Sequence, residues 1–288
     1  MKRYETTVVF FFFAFWFLLA GSRANAEKPV VIFDQGHGQK FVVELEGDFH
    51  FSGLSGLFKH DGFEVETSTE RINDKTLARA DALVISGAFN PLSSSEIEAI
   101  IHFVESGGNL CIMLHVPQPA AELMSRLKIY ASNGVVQERK NLIKQEPKEF
   151  YTSKLEKHAI TKGVKRFAVH GGWALMNESK TGKIIAWSGP RAWIDLNRNN
   201  KFDSPPDAQQ SFGIAVAGTL GKGHYVVFGD DAIFQNSFLV KENLALGKNL
   251  VKWLKSPGKH GMLTDRSPDS RKQTSAENFL DTKKDCRV

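Results

Sequence analysis

The sequence predicts an α/β protein whose core is a doubly wound, mostly parallel sheet. Short apolar runs rich in β-branched residues have the length of buried strands, namely "PVVIFD" (29–34), "DALVISGA" (81–88) and "NLCIML" (109–114). Segments with helical spacing stand between these runs. Strands that alternate with helices are typical of a parallel sheet that is covered on both faces.

Two helices are expected between these strands. Leu54, Leu57 and Phe58 recur at helical spacing in a segment that ends near Gly62, and a short strand, "FEVET" (63–67), follows it. The second helix begins with a capping box, in which a serine and a glutamate three residues later each satisfy a backbone amide. Ser93 and Glu96 form its capping box. Its apolar face consists of Ile97, Ile100, Ile101 and Val104.

The second half of the chain begins with an indistinct section between residues 119 and 180. It holds one helical pattern, "AAELMSRLKI", and then polar connections. Beyond it, three runs are typical of strands and one of a final amphipathic helix: "KIIAWSG" (183–189), "SFGIAVAGTL" (211–220), "GKGHYVVFGDD" (221–231) and "NLALGKNLVKWLK" (243–255).

The two ends of the chain have compositions unlike the rest. Lys2 and Arg3 precede an apolar stretch, 8–20, and a small-residue cleavage signature, Ala24-Asn25-Ala26, which together indicate a secretory signal peptide. The alternative is an uncleaved anchor, although the stretch is shorter than the roughly 20 residues of a spanning helix. From Ser256 onward the chain is polar and predicts disorder. We therefore expect a signal peptide (1–26), one α/β domain (27–255) and a tail (256–288), in a protein exported to the periplasm or beyond without stable membrane insertion.

The charge argues against a nucleic-acid-binding protein, and the cysteine content argues against a disulfide-stabilised one. The formal net charge is +5 for the whole chain and about +3 without residues 1–26, too little to indicate a nucleic-acid partner. The two cysteines, Cys111 in an apolar run and Cys286 in the tail, do not form a disulfide framework.

Polar side chains follow three of the predicted strands at the point where each strand ends. In an open parallel sheet, ligands bind outside the carboxyl ends of the strands. We expect the following residues to line one pocket: Asp34, His37, His115, Asp230, Asp231 and Asn236. Histidines such as His37 and His115, together with carboxylates, can hold a transition metal such as zinc, and close carboxylates can supply an acid and a base. The alternative is structural: Asp34 caps its own turn, the Asp230-Asp231 pair caps a short helix, and His115 is a satisfied buried histidine.

A second candidate metal site lies in "WIDLNRNNKFDSPPD" (193–207). Oxygen-bearing side chains at positions 1, 3, 5 and 9 of this loop resemble an EF-hand or dockerin turn, and alternate oxygens suit calcium. These residues are Asp195, Asn197, Asn199 and Asp203. The loop departs from the pattern at position 6, which is Asn200, and at position 12, which is Pro206 with Asp207 next to it. A plain polar hairpin loop is the alternative.

The first strand end also resembles an enzyme motif. "DQGHG" (34–38) is similar to the "DPGHGG" turn of zinc-dependent cell-wall amidases, which cleave N-acetylmuramoyl-L-alanine bonds. The resemblance implies that His37 binds zinc. It departs at the later strand, where Gly87 stands in place of the family's metal-binding histidine, so that His115 would have to substitute.

A second resemblance covers residues 30–254. The segments "FDQGHGQ", "DALVISGAFNPLSSSEIEAIIHFVESGGNL", "MLH", "GGWAL", "AWIDLN" and "VFGDDAIFQN" occur in the order found in a bacterial secreted domain-of-unknown-function family. This resemblance implies a class I glutamine-amidotransferase-like (flavodoxin-like) fold and no particular activity. The parent amidotransferases carry their cysteine on a Gly-x-Cys-x-Gly elbow, whereas Cys111 is flanked by Leu110 and Ile112 and is expected to be inert.

Two functions from different classes follow from these observations. The first is an exported, non-catalytic binding or accessory protein of the cell envelope, which uses the strand-end pocket for a small polar ligand or a divalent metal. The second is a metal-assisted hydrolase of envelope material at the same pocket. Trp173 and Trp193 are expected either to pack in the core or to form an aromatic wall beside a sugar.

Overall fold

The apolar runs predicted as strands form neighbouring strands in the parallel part of a twelve-stranded sheet in the computed structural model, which describes residues 27–256. The signal-peptide prediction (1–26) and the tail beyond residue 256 lie outside the described residues. The strands are β1 (Val30–Asp34), β2 (Glu64–Ser68), β3 (Ala82–Ser86), β4 (Asn109–Met113), β5 (Ile129–Gln137), β6 (Leu142–Ile143), β7 (Glu146–Thr152), β8 (Lys154–Leu155), β9 (Phe167–His170), β10 (Trp173–Asn177), β11 (Gly182–Trp187), β12 (Trp193–Ile194), β13 (Ala208–Gln209), β14 (Gly213–Leu220) and β15 (Gly223–Phe228). The α-helices are α1 (Ser52–His60), α2 (Asp74–Leu77), α3 (Ser94–Glu105), α4 (Ala121–Arg126) and α5 (Lys241–Lys255).

Five adjacent strands are parallel, in the order β2-β1-β3-β4-β15. Every residue of β1, β3 and β4 is buried, which explains why these strands are continuous apolar runs without alternation. Side chains of α1 and α5 pack on one face of this parallel part, and those of α3 and α4 pack on the other. The predicted capping box of α3 is present, since Ser93 N–H donates to Glu96 Oε2 at 2.9 Å and Glu96 N–H donates to Ser93 Oγ at 3.4 Å.

The other half of the large sheet is antiparallel, so the expectation of a mostly parallel sheet holds only for the five strands at one end of it. β14 and β15 are joined by two residues, Gly221 and Lys222, and a connection this short allows only an antiparallel pair. Gly221 has a φ of +58°, which the tight turn requires. From β14 the antiparallel strands continue through β10, β5, β12 and β13, while β11 and β8 branch from β14. A separate antiparallel sheet has the order β6-β7-β9.

The section between residues 119 and 180 differs most from the sequence prediction. The helical pattern "AAELMSRLKI" forms a helix only as far as Arg126, and the chain then turns at Lys128, whose φ is +59°. Its last residue, Ile129, already begins the nine-residue strand β5. The strands of this section mix buried with exposed positions, so their sequences lack the uniform apolar character that identifies β1 and β4.

α5 is fixed by apolar contacts and by one buried amide. Leu246, Leu250 and Leu254 are buried along its inner face. Near its first turn, Asn243 is buried and accepts the Ala168 N–H at Oδ1, at 2.8 Å, while its Nδ2 donates to the carbonyls of Ala168 and Ile233 at 3.2 and 3.1 Å. Asn243 therefore joins α5 to β9. None of the helices within residues 27–256 has the length and apolarity needed to span a bilayer.

We expect Asn243→Ala to lower the free energy of unfolding by about 2–4 kcal/mol, because it leaves three buried backbone groups without partners. Urea unfolding followed by circular dichroism measures this change. Lys252→Ala, at an exposed position on the same helix, is the matched control and should change the free energy of unfolding by less than about 0.5 kcal/mol. Equal effects of the two substitutions would contradict the role assigned to Asn243.

Candidate functional site

The turn after β1 holds His37 between two carboxylates. His37 Nδ1 lies 2.8 Å from Asp34 Oδ2, and His37 Nε2 lies 3.2 Å from Glu96 Oε1. Asp34 also accepts the Gly36 N–H at 3.1 Å and the Gln39 Nε2 at 2.6 Å. The three ionisable side chains are buried, so each carboxylate is satisfied inside the protein. We call this group the His37 clamp (Asp34, His37 and Glu96).

The charge of the His37 clamp follows from these contacts. The hydrogen bond to Asp34 raises the pKa of His37 above 6.5, against the lowering effect of burial, and the charge of Glu96 adds to the rise. Burial would raise the pKa of Glu96, but hydrogen bonds from Ser93 and from the Ile72 N–H outweigh it, so that this pKa is lowered. The sequence identified Glu96 only as a helix cap, because its contact with His37 is not local in the chain.

Zinc does not fit the turn that resembles the amidase motif. A zinc-bound histidine needs a free lone pair, whereas both ring nitrogens of His37 are engaged by carboxylates. Within residues 27–256, no group of three or more His, Cys, Asp and Glu side chains is arranged to hold a metal ion. The donor set thus gives no support to a metal-assisted hydrolase at this turn.

A second histidine–carboxylate pair stands at the ends of β4 and β15. His115 Nδ1 lies 3.2 Å from Asp231 Oδ1. The His115 side chain is 38% exposed and that of Asp231 is 2% exposed. Nothing in the described part of the chain hydrogen-bonds His115 Nε2, so this ring nitrogen is the polar atom that the pair offers to a ligand. We call His115 and Asp231 the His115 pair.

Burial controls the protonation of the acids at this strand end. Burial and then the neighbouring Asp231 raise the pKa of Asp230 to about 7, although the backbone N–H groups of His170 and Ala232 donate to it at 2.6 and 2.9 Å. Burial also raises the pKa of Asp231, against the effect of His115. Asp231 Oδ2 has no hydrogen-bond partner among the described residues. The hydrogen bond to Asp231 in turn raises the pKa of His115.

Aromatic and cationic side chains surround the His115 ring. Phe41 and Phe89 lie with their ring centroids 5.2 and 5.3 Å from it, and Lys40 Nζ lies 5.0 Å from the Phe89 centroid. Trp173 donates its indole N–H to the His115 carbonyl at 3.0 Å. Of these side chains, the sequence analysis named only Trp173 as a candidate site residue. Lys40, Phe41 and Phe89 lie in loops, where no sequence periodicity indicates a contact with His115.

Gly87 makes the close approach behind the His115 pair possible. It follows β3 directly and has a φ of +59°. A Cβ at this position would lie 2.9 Å from Asp231 Oδ2 and 3.5 Å from His115 Cβ, so a side chain would displace the pair. The glycine that stands in place of the amidase histidine is thus required by the geometry of this strand end.

The six residues predicted for one pocket have three different roles. Asp34 and His37 form a closed clamp, and His115 and Asp231 form the half-exposed pair, with Asp230 bonded to the backbone behind it. No hydrogen bond or ion pair between described residues joins the clamp to the pair. Asn236 binds neither group: its Oδ1 accepts the Gly53 N–H at 2.8 Å and its Nδ2 donates to the Gly47 carbonyl at 2.8 Å.

The candidate calcium residues lie in one exposed loop after β12. Asp195 accepts the backbone N–H groups of Asn199 and Asn200 at 3.2 and 2.7 Å. The side-chain amides of Asn197 and Asn199 donate to Asp203 Oδ2. The oxygens are those that a hard cation prefers, and the calcium site stays a prediction.

Asp207, the alternative ligand near position 12, is buried and already bonded. It accepts the Leu196 N–H at 2.9 Å and the Asp203 N–H at 2.8 Å. Two other side chains named from the sequence have structural positions: Trp193 is buried with its ring 5.7 Å from that of Phe202, and Cys111 is buried in β4, where burial raises the pKa of its thiol.

Comparison with known proteins identifies the fold but not the family. No protein-family model and no curated protein matches the sequence. Among solved structures, the mmIFT52 N-terminal domain is 17% identical with a TM-score of 0.63, over 78% of this chain and 97% of that chain. A ThuA-like protein from Bacteroides uniformis ATCC 8492 is 15% identical with a TM-score of 0.50, over 81% and 95%. A cytoplasmic protein from Salmonella typhimurium LT2 is 14% identical with a TM-score of 0.52, over 79% and 100%.

At these identities the similarity shows the fold alone. ThuA-like proteins have class I glutamine-amidotransferase-like folds, so the comparison supports an amidotransferase-like architecture for the mixed α/β domain with its parallel central sheet.

The His37 clamp should make stability depend on pH in one direction. Because the pKa of His37 is higher in the folded than in the unfolded chain, its stabilising effect is full below pH 6.5 and is lost as the pH rises through the folded-state value. We expect His37→Gln to lower the free energy of unfolding by about 3 kcal/mol at pH 6 and by less at pH 9. Urea unfolding between pH 6 and 9 measures the difference.

The control for this prediction is His102→Gln. His102 also pairs with a carboxylate, Asp74, at 3.1 Å, but both side chains are mostly exposed. Its removal should change little at any pH, because exposed ion pairs contribute little to stability. A constant effect of His37→Gln across the pH range would show that the clamp does not hold a protonated ring.

If the loop of 193–207 binds calcium, calcium should raise the melting temperature of protein that has been stripped with EDTA. The gain follows from binding to the folded state alone, about 2.7 kcal/mol at one hundred times the Kd. A double substitution, Asp195→Asn with Asp203→Asn, should abolish the gain, whereas Glu178→Gln, elsewhere on the surface, should retain it. An unchanged melting temperature of the wild type would indicate a plain polar loop.

Proposed function

We propose that the protein is an exported, non-catalytic binding or accessory protein of the cell envelope with a class I glutamine-amidotransferase-like fold, and that its ligand site is the His115 pair. One observation carries this proposal: a half-exposed imidazole is fixed at Nδ1 by a buried carboxylate while its Nε2 has no partner among the described residues. Strand ends of parallel sheets are where ligands bind in this class of fold. Export is inferred from the leader-like composition of residues 1–26.

The charges at the pair favour an anionic ligand. The hydrogen bond to Asp231 raises the pKa of His115, which favours the protonated ring, and in that form Nε2 donates a hydrogen bond. Lys40 brings a second cation close enough to oppose protonation of the ring. The protonated His115 ring and Lys40 are two cations next to the proposed binding atom, Nε2, whereas Asp230 and Asp231 are buried. This arrangement favours a ligand that carries a carboxylate.

The arrangement supports binding more than acyl transfer. An Asp–His pair of this kind can act as a general base, but acyl transfer also needs an activated nucleophile. Within residues 27–256, no hydroxyl or thiol hydrogen-bonds the His115 ring, and the thiol of Cys111 is buried in a strand.

Two envelope sugars test the proposal as a matched pair. N-acetylmuramic acid differs from N-acetylglucosamine only by its lactyl ether, which carries a carboxylate. We expect calorimetry at pH 6 to detect N-acetylmuramic acid binding with at least about tenfold higher affinity than N-acetylglucosamine. We expect this affinity to fall as the pH rises through the raised pKa of His115, because the ring then loses its proton.

Two variants locate the binding on the His115 pair. His115→Gln should abolish the preference for the acid, and Asp231→Asn should move the pH at which affinity falls downward, because the hydrogen bond that raises the pKa of His115 is weakened. His102→Gln is the control and should bind like the wild type. If neither sugar binds, or if His115→Gln binds both sugars as the wild type does, the proposed site is wrong.

A further inference from the structure

An apolar patch with an acidic border lies beside the start of α5. Three of the large apolar side chains that are most exposed within residues 27–256 belong to it: Leu45 is 51%, Phe49 is 54% and Val240 is 53% exposed. Phe238 adds to the patch, since its ring centroid lies 6.4 Å from that of Phe49. We call these four side chains the apolar patch. Contiguous exposed apolar groups commonly mark a surface that binds another molecule.

The patch is built on a fixed frame. The loop that carries Leu45 and Phe49 is tied to the segment before α5 by Asn236, whose Nδ2 donates to the Gly47 carbonyl, and by the Ser237 N–H, which donates to the Asp48 carbonyl at 2.9 Å. These bonds connect residues nearly 200 positions apart in the chain. The surface therefore exists before any partner binds, which lowers the cost of ordering on binding.

A shallow, open groove lies next to the patch. Its volume is about 440 Å³, which is within the range of clefts that accept side chains or small ligands. Leucines form part of its wall and polar groups form the rest: Glu46, Ser52, Gly53, Asn236, Leu239 and Leu244. An apolar side chain of a partner would find apolar neighbours here, with polar groups at the margin to fix its orientation.

The charges around the patch select the partner. Glu46 lines the groove and Asp48 follows in the same loop, and in the described part of the chain neither forms an ion pair. Lys241, at the start of α5, is the cation next to Val240, whereas the nearby Glu242 is paired with Arg166. An acidic border repels an anionic lipid surface and attracts lysine and arginine.

We propose that the apolar patch and its groove bind a basic amphipathic segment of a partner protein. The segment places one or two large apolar side chains against the patch and in the groove, and its lysine or arginine side chains face Glu46 and Asp48. This is the arrangement by which amphipathic helices bind to grooves in many complexes. The proposal is independent of the His115 pair, since none of the groups that it uses contacts Asp231 or His115 Nε2.

Fluorescence anisotropy with two designed 18-residue peptides tests the proposal on the full mature chain. One peptide is an amphipathic helix of leucine and lysine, and the other has glutamate in place of lysine. We expect the leucine–lysine peptide to bind at least about tenfold more tightly than the leucine–glutamate peptide, and Phe49→Ser with Glu46→Lys to weaken it about tenfold or more. Glu46→Lys with Asp48→Lys should reverse the preference between the peptides.

The matched control is Met176→Ser with Glu178→Lys, which removes an exposed apolar side chain and reverses an acid on a different part of the surface. This variant should bind the leucine–lysine peptide as the wild type does, and thermal melts confirm that all variants are folded. Equal losses in the control and in the patch variant would overturn the proposal. So would self-association of the wild type, measured by sedimentation, that Phe49→Ser abolishes, because the occupant would then be a second copy of this chain.

Discussion

Two of the parallel strands, β1 and β15, lead into buried carboxylates at their C-terminal ends, and each of these carboxylates must be satisfied inside the protein. A buried polar group without a partner costs about 1–3 kcal/mol, and a buried charge costs more. Asp34 meets this demand with His37 and two local donors, and Asp230 meets it with two backbone N–H groups. Asp231 meets it only in part, because one oxygen contacts His115 and the other has no partner among the described residues.

The unequal satisfaction of these acids distinguishes the closed His37 clamp from the His115 pair, for which we propose ligand binding. The His37 clamp is saturated and closed, so its histidine stabilises the junction of β1 and α3 and offers no atom to a ligand. The His115 pair keeps a buried, incompletely bonded carboxylate beneath a half-exposed ring, and it does so beside a second acid whose pKa is raised to about 7. Groups with strongly shifted pKa values that remain unsatisfied destabilise a fold, and such sites are commonly maintained by function.

The sequence predicts the five parallel strands and two antiparallel strands, β11 and β14, but not the antiparallel strands between residues 129 and 177. β1, β3 and β4 are buried on both faces, so their sequences are uniformly apolar, whereas β5 and β7 alternate irregularly between buried and exposed positions. The site shows the same limit. Strand-end polar residues could be identified from the pattern, but their partners could not, since Glu96 reaches His37 across 59 positions and Asn236 bonds to loops nearly 190 positions away.

The loop between β1 and α1 connects the two surfaces for which we propose binding. Phe41 lies against His115, with centroids 5.2 Å apart, and against Phe49, with centroids 6.4 Å apart. Phe49 in turn belongs to the apolar patch. Phe41 therefore packs against both surfaces, and the burial of the His115 ring to which it contributes opposes protonation of that ring. The antiparallel half contributes Trp173, whose indole N–H donates to the His115 carbonyl, so the proposed ligand site lies at the junction of the parallel and antiparallel parts of the sheet.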